Sequence, residues 1–280
     1  MKIVKVVLSG FMLGAVLPML AQNPKVTSLW ATDKVFDVPE SALYAHTEKL
    51  IFVSNISGNP TDKDGNGFIS TLSPTGKVFN LKWIEGLNAP KGMVLVGKSL
   101  FVSDIDELVE IDIDGRKIVQ RYQAAQGKFL NDVAATSDGA VYVSDTDDQS
   151  IYQLKNGIFT KWLSSDALAG VNGLAVEGDT LFAGTPKGIV SITLPGMEVS
   201  VWAGNTGRID GLAWNGSGAF LYSDWQGKTY WVQKGQKPIM VLNTTADKVN
   251  AADIGFNKEK GILYVPSFFD NRVMAYKVEH

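Results

Sequence analysis

The chain has no cysteine and only two histidines, His46 and His280, among its 280 residues. Without cysteine there is no disulfide framework, no thiol for lipid attachment and no thiolate to serve as nucleophile or metal ligand. Two isolated histidines leave Ser–His–acid catalysis without its usual base. Basic clusters are also missing and the net charge is −3 at pH 7, which excludes nucleic acid and anionic membrane surfaces as partners. No apolar run approaches the ~20 residues of a spanning helix, so no membrane insertion is expected.

The longest apolar run, Val6–Leu17, follows Lys2 and Lys5 and precedes Pro18, the small Ala21 and polar Gln22-Asn23. Charge, apolar stretch and small residue in that order form a secretory signal over residues 1–21. Residues 22–280 then make one exported domain, periplasmic or extracellular. Lacking disulfides, this domain depends on its core, and at that length a fold buries roughly three-quarters of its unfolded surface. The 28 glycines, seven tryptophans and frequent Val-x-Val runs point to an all-β domain with tight turns.

A repeat fixes the fold class. Ile51-Phe-Val-Ser-Asn55, Leu100-Phe-Val-Ser-Asp104, Val141-Tyr-Val-Ser-Asp145, Leu181-Phe-Ala-Gly-Thr185, Phe220-Leu-Tyr-Ser-Asp224 and Leu263-Tyr-Val-Pro-Ser267 are near-copies of one strand and its turn. A second series, centred on Glu40, Lys91, Asn131, Asn172, Asp210 and Ala252, precedes the last residue of each copy by 13 to 15 positions. A third, Trp30, Trp83, Tyr122, Trp162, Trp202 and Leu242, lies 8 to 10 positions before the second. Three marks in sixfold register define a unit of roughly 42 residues with about four short strands, the size of a propeller blade. A two-sheet sandwich requires no such register. The expected fold is a six-bladed β-propeller, its bulky third-series residues packing between blades. The last repeat ends after its third strand, Val273–Val278, so Val26–Phe36 is expected to supply the outer strand of blade six and close the ring.

In a propeller the innermost strands line a central channel, and the second series marks where they begin. Glu40, Asn131, Asn172 and Asp210 then converge on the axis as two carboxylates and two carboxamides. The next position adds Ser41, Asp132 and Asp253. An all-oxygen set suits a hard divalent cation, calcium first, with magnesium, manganese or zinc as alternatives. Clustered acids likewise need a cation or raised pKa values to coexist. Taken singly, Asn172-Gly173 and Asp210-Gly211 also read as turn sequences.

At these residues the sequence resembles the senescence marker protein (regucalcin)/gluconolactonase family over essentially all of residues 22–280. In that family an early Glu, the Asn of an Asn-Asp pair, the Asn of an Asn-Gly pair and the Asp of an Asp-Gly pair hold a metal ion. Glu40, Asn131, Asn172 and Asp210 match them. The resemblance implies a divalent-metal-dependent hydrolase of a lactone or related ester, a monomer acting on a small molecule. The metal would polarise the carbonyl, Asp210 would act as general base and Asp132 would orient its neighbours. The chain departs from the family at Ser41-Ala-Leu-Tyr44, where Gly-Pro-x-Trp is usual, and at Phe129, where an Arg is common. These departures argue against a gluconate-type substrate. Lys91 brings an ammonium to the channel, where it could bind an anionic substrate, pair with Asp132 or weaken the metal site. The alternative reading is a non-catalytic, metal-stabilised propeller that binds a partner or glycan.

Two further stretches stand out. Asp62-Lys-Asp64-Gly-Asn66-Gly67 resembles half of an EF-hand loop, but Ser73 replaces the closing Glu and no flanking helices are expected; it reads as a hairpin loop of blade one projecting near a channel mouth. Asp224-Trp225-Gln226-Gly227 and Ser267-Phe-Phe-Asp270-Asn271 are richer than their repeat mates and are expected as surface loops on the face opposite the metal.

Overall fold

The computed structural model describes residues 23–279; residues 1–21, expected from the sequence as a secretory signal, and His280 lie outside the described residues. The chain opens on β1 (Lys25–Ala31). Blade one is β2 (Pro39–Ala45), β3 (Leu50–Asn55), β4 (Gly67–Leu72) and β5 (Val78–Leu87), and blade two is β6 (Pro90–Val96), β7 (Ser99–Asp104), β8 (Glu107–Asp112) and β9 (Lys117–Gln123). Blade three is β10 (Leu130–Ala135), β11 (Val141–Asp145), β12 (Ser150–Lys155) and β13 (Ile158–Ser164), and blade four is β14 (Leu174–Glu177), β15 (Thr180–Thr185), β16 (Gly188–Thr193) and β17 (Val199–Gly204). Blade five is β18 (Leu212–Trp214), β19 (Ala219–Ser223), β20 (Lys228–Gln233) and β21 (Ile239–Asn243). Blade six begins β22 (Gly255–Asn257), β23 (Ile262–Ser267) and β24 (Arg272–Glu279). Its fourth strand is β1, antiparallel to β24 from Lys25 opposite Glu279 to Ala31 opposite Met274. The ring closes as the sequence predicts, by pairing the two ends of the chain in one sheet.

Six apolar clusters hold the blades together, each shared by two neighbours. Phe52 and Ile69 of blade one meet Leu100 and Val109 of blade two, and Tyr264 and Val273 of blade six meet Ile51 and Val53 of blade one. Every third-series residue packs on one of these clusters, as expected: Trp30, Trp83, Tyr122, Trp162, Trp202 and Leu242. Trp30 adds a hydrogen bond from Nε1 to the Pro74 carbonyl at 3.1 Å, which ties the closing strand to blade one.

The repeated Val-Ser-Asp ending has a purpose at each residue. Ser103 Oγ donates to the Asn131 carbonyl, in the inner strand of the following blade, and Ser223 Oγ donates at 2.7 Å to the Ala252 carbonyl, just ahead of that strand in blade six. Ser144 Oγ accepts from Asp132 N at 2.9 Å and Ser223 Oγ from Gly211 N at 2.9 Å. The buried Asp104 carboxylate takes the N–H groups of Asn88 and Ala89, and Asp145 takes those of Lys128 and Phe129. These acids fix the loop that delivers Lys91 or Asn131 to the axis.

The axial glycines serve close approach rather than turns. None of Gly92, Gly173 and Gly211 has a positive φ. A Cβ on Gly92 would stand 2.5 Å from Asp132 Cα, and one on Gly211 would stand 2.3 Å from Ile254 N. Both obstacles are backbone of the next blade, which cannot yield without opening the ring. Gly211→Ala is therefore expected to lower unfolding free energy by about 2–3 kcal/mol. Gly204→Ala, where a Cβ meets nothing within 4 Å, should change it by no more than about 0.5 kcal/mol. Equal effects in guanidinium unfolding would refute the close-approach account.

Candidate functional site

The inner strands begin side by side at one mouth of the channel, neighbours running parallel, as the Ser41–Asp253 bridge between blades one and six shows. Glu40, Lys91, Asn131, Asn172 and Asp210 all line one cavity of about 730 Å³ at that mouth, together with Phe129. The four oxygen-bearing residues picked out in the sequence thus meet in one volume.

Asp132 and Asp253 do not join them there. Both line a smaller cavity of about 260 Å³, with Ser41. Successive residues of a strand point to opposite sides, so the position after each axial residue forms a separate tier. Asp132 accepts N–H groups from Val133 at 2.7 Å and from Leu174 at 2.5 Å, the latter in the next blade two residues beyond Asn172. Asp253 Oδ2 accepts from Ser41 Oγ at 2.5 Å.

Unpartnered oxygens single out the tier of Glu40 and Asp210. Glu40 Oε2 and Asp210 Oδ2 are buried and accept no hydrogen bond among the described residues. Burial, then the nearby Asp210 and Asp253 carboxylates, push the Glu40 carboxyl well above its ordinary pKa against the pull of Lys91. Burial and Asp253 raise Asp210 to about 7, opposed by the Asn172 amide and Arg208. Burial raises Asp253 to about 7 as well, and raises Asp132 against its two backbone hydrogen bonds.

The amides complete the arrangement. Asn172 Nδ2 donates to Asp210 Oδ1 at 2.7 Å, and Asn131 Nδ2 points to Thr146 Oγ1 at 3.5 Å. With both NH₂ groups committed, each amide has its carbonyl oxygen left to offer. Two bare carboxylate oxygens and two amide oxygens around one cavity fit a hard cation. Among the described residues no group of three or more His, Cys, Asp or Glu side chains is disposed to hold a metal, so the fit rests on this mixed set.

Lys91 is not a free cation. Its ammonium donates to the carbonyls of Pro60 at 3.0 Å and Ala89 at 2.9 Å and lies 4.6 Å from the centre of the Phe129 ring. Burial lowers its pKa to about 8, while Glu40 and Asp104 oppose that shift. Among the described residues it forms an ion pair with neither Asp132 nor a surface acid. Instead it anchors the loop between β3 and β4 at the mouth, where Pro60 and Thr61 join the lining. In that loop Asp62 accepts from Asn59 at 2.8 Å and Asp64 from Asn66 at 2.7 Å.

One expectation is overturned. The turns after β19 and β23 do not lie opposite the axial set: Asp224, Trp225, Gln226 and Phe268 line the same cavity as Glu40. β3 and its equivalents run antiparallel to the inner strands, Pro39 facing Asn55, so each second strand ends at the mouth where the inner strand began. Arg208, two residues before Asp210, also lines this cavity and is exposed. The series marks did not capture it, because it lies in the loop ahead of the repeated position.

No family model matches the chain, and no curated protein does. Solved structures do. A gluconolactonase from Xanthomonas campestris superposes with a TM-score of 0.67 at 14% identity, over 91% of this chain and 89% of that one. A streptogramin B lyase gives 0.66 at 12% identity over 91% and 98%, and virginiamycin B lyase from Staphylococcus aureus gives 0.63 at 14% over 91% and 99%.

Carboxyls whose pKa is raised by folding keep protons that the unfolded chain has released, so they favour the fold below the ordinary carboxylate value and cease to do so as pH climbs through about 7. In chelator, Asp210→Asn should exceed the wild type in stability by roughly 2 kcal/mol at pH 8, with the gap narrowing towards pH 5. A gap that is the same at both pH values in thermal unfolding would contradict the buried-acid reading. At these identities the likeness is one of fold: the chain shares its six-bladed propeller with gluconolactonase and streptogramin B lyase structures.

Proposed function

We propose that the protein is a divalent-metal-dependent hydrolase of a lactone or related ester, with calcium the ion that its donor set suits. The observation that carries this reading is the pair of buried, unpartnered oxygens, Glu40 Oε2 and Asp210 Oδ2, in one cavity with two amides whose NH₂ groups are engaged. Glu40, Asn131, Asn172 and Asp210 would hold the ion. The structural likeness to a gluconolactonase supports the reaction class.

The ion, when bound, supplies a Lewis acid to the ester carbonyl. Asp210 is the general base of this reading: Asn172 holds its Oδ1 at 2.7 Å and its Oδ2 accepts no hydrogen bond among the described residues, so the carboxylate would stand beside both the ion and the attacking water. Water oxygen adds to the carbonyl carbon, the acyl–oxygen bond breaks, and the proton taken by Asp210 passes to the departing alkoxide, leaving a hydroxy acid. Asp132 positions the site by accepting Leu174 N–H. Lys91 holds the rim loop and offsets part of the charge on Glu40. A site of modest affinity, with Kd of about 0.1–1 mM as in extracellular calcium modules, would suit the export that we propose for residues 1–21.

Against a panel of lactones and aryl esters, activity should vanish in chelator, return with added calcium, and fall at least about 100-fold in Asp210→Ala. Calcium at 100 times its Kd should also stabilise the wild type by about 2.7 kcal/mol, and Asp210→Ala much less. Hydrolysis that survives both the chelator and the substitution would overturn the mechanism. Stabilisation by calcium with no turnover across the panel would favour the non-catalytic propeller.

A further inference from the structure

A second register position shapes the mouth of the cavity. The residue after the last repeat mark is Ile56, Ile105, Thr146, Pro186, Trp225 or Phe268 in blades one to six. In blades one and two it is buried, Ile56 and Ile105 forming a small cluster with Ala89 on which Phe268 packs. Blades five and six place aromatic bulk there. Trp225 meets Phe268 at 5.7 Å and Phe269 at 5.6 Å between ring centres, and Phe268 meets Phe269 at 5.0 Å, all three edge to face.

This wall is presented outward. Trp225 is 37% exposed and Phe269 66%, although the core is where large rings gain most. Trp225 also sits at φ 59, in the left-handed region that bulky residues avoid unless their surroundings impose it. Here Ala251 N–H and Asn250 Nδ2 hold its carbonyl at 3.3 and 3.1 Å. These contacts hold the Trp225 backbone in that conformation at the cavity rim.

Building on the hydrolase reading, we propose that the substrate is a lactone or ester bearing an aryl group, which Trp225 and Phe268 of the cavity lining, with Phe269 packed beside them, receive while the ester carbonyl reaches Glu40 and Asp210. Rings already set edge to face leave faces and edges for a fourth ring in the same geometry. Ile56, Pro60 and Phe129 add apolar surface elsewhere in the lining, beside its polar groups. A cavity of about 730 Å³ accommodates a ligand of this size.

The test uses calcium-loaded protein with γ-phenyl-γ-butyrolactone, unsubstituted γ-butyrolactone and glucono-δ-lactone, together with binding of the non-hydrolysable γ-phenyl lactam by calorimetry. The aryl lactone should exceed the others in kcat/KM by about tenfold or more. Trp225→Ala and Phe269→Ala should each remove several-fold of that preference, chiefly through KM, and weaken lactam binding in parallel. Phe269 is exposed enough that its substitution leaves folding intact, which the melting temperature checks. Lactam binding that is sensitive to both substitutions, with no turnover of any lactone, would support the aryl seat and reject hydrolysis. Equal turnover of all three lactones, unchanged in both variants, would overturn the aryl seat and leave hydrolysis standing. Absence of both turnover and lactam binding would overturn the two together.

Discussion

Two carboxylate oxygens on the propeller axis, buried without partners among the described residues, govern the rest of this structure. Taking a carboxylate out of water is costly unless a counter-charge or hydrogen bonds replace its hydration. At Glu40 and Asp210 the protein supplies this on one side only: Asn172 serves Asp210 Oδ1, and Lys91 attracts Glu40 from a distance. The remaining oxygens face a cavity with two amide carbonyls to share it. A cation resolves that imbalance; protonation is the other resolution, which is what the raised pKa values express.

The surrounding fold is arranged to bring these groups together. Glycines at positions 92, 173 and 211 let inner strands approach until backbone nearly touches backbone. Serine hydroxyls of the second strands bridge to the next blade, and the acids that follow them hold the loops leading to the axis. The apolar clusters between blades supply the cohesion, and the strand shared by the two chain ends keeps the ring from opening. Stability and site geometry therefore draw on the same repeated motif.

Much of this was legible in the sequence because a propeller turns period into proximity. Six copies of three marks fixed the blade count, the closing strand and the convergence of Glu40, Asn131, Asn172 and Asp210. Other features depend on direction and partner choice. Asn131 and Asp132 are adjacent in sequence yet serve different tiers, because side chains alternate along a strand. The turns carrying Trp225 and Phe268 read from the sequence as belonging to the opposite face, whereas antiparallel pairing returns each second strand to the mouth where the first began. Asn-Gly and Asp-Gly resembled turns, but their glycines are needed for clearance. That Lys91 donates to a carbonyl 31 residues away, and Asn172 to an acid 38 residues away, follows only from packing in three dimensions.

The central claim is a single cation on the axis, and a crystal structure grown in calcium tests it most directly. The account predicts one ion bound by Glu40 Oε2, Asp210 Oδ2 and the amide oxygens of Asn131 and Asn172, at about 2.3–2.6 Å. Well-ordered density showing only water among these oxygens, with calcium present in millimolar excess, would contradict it.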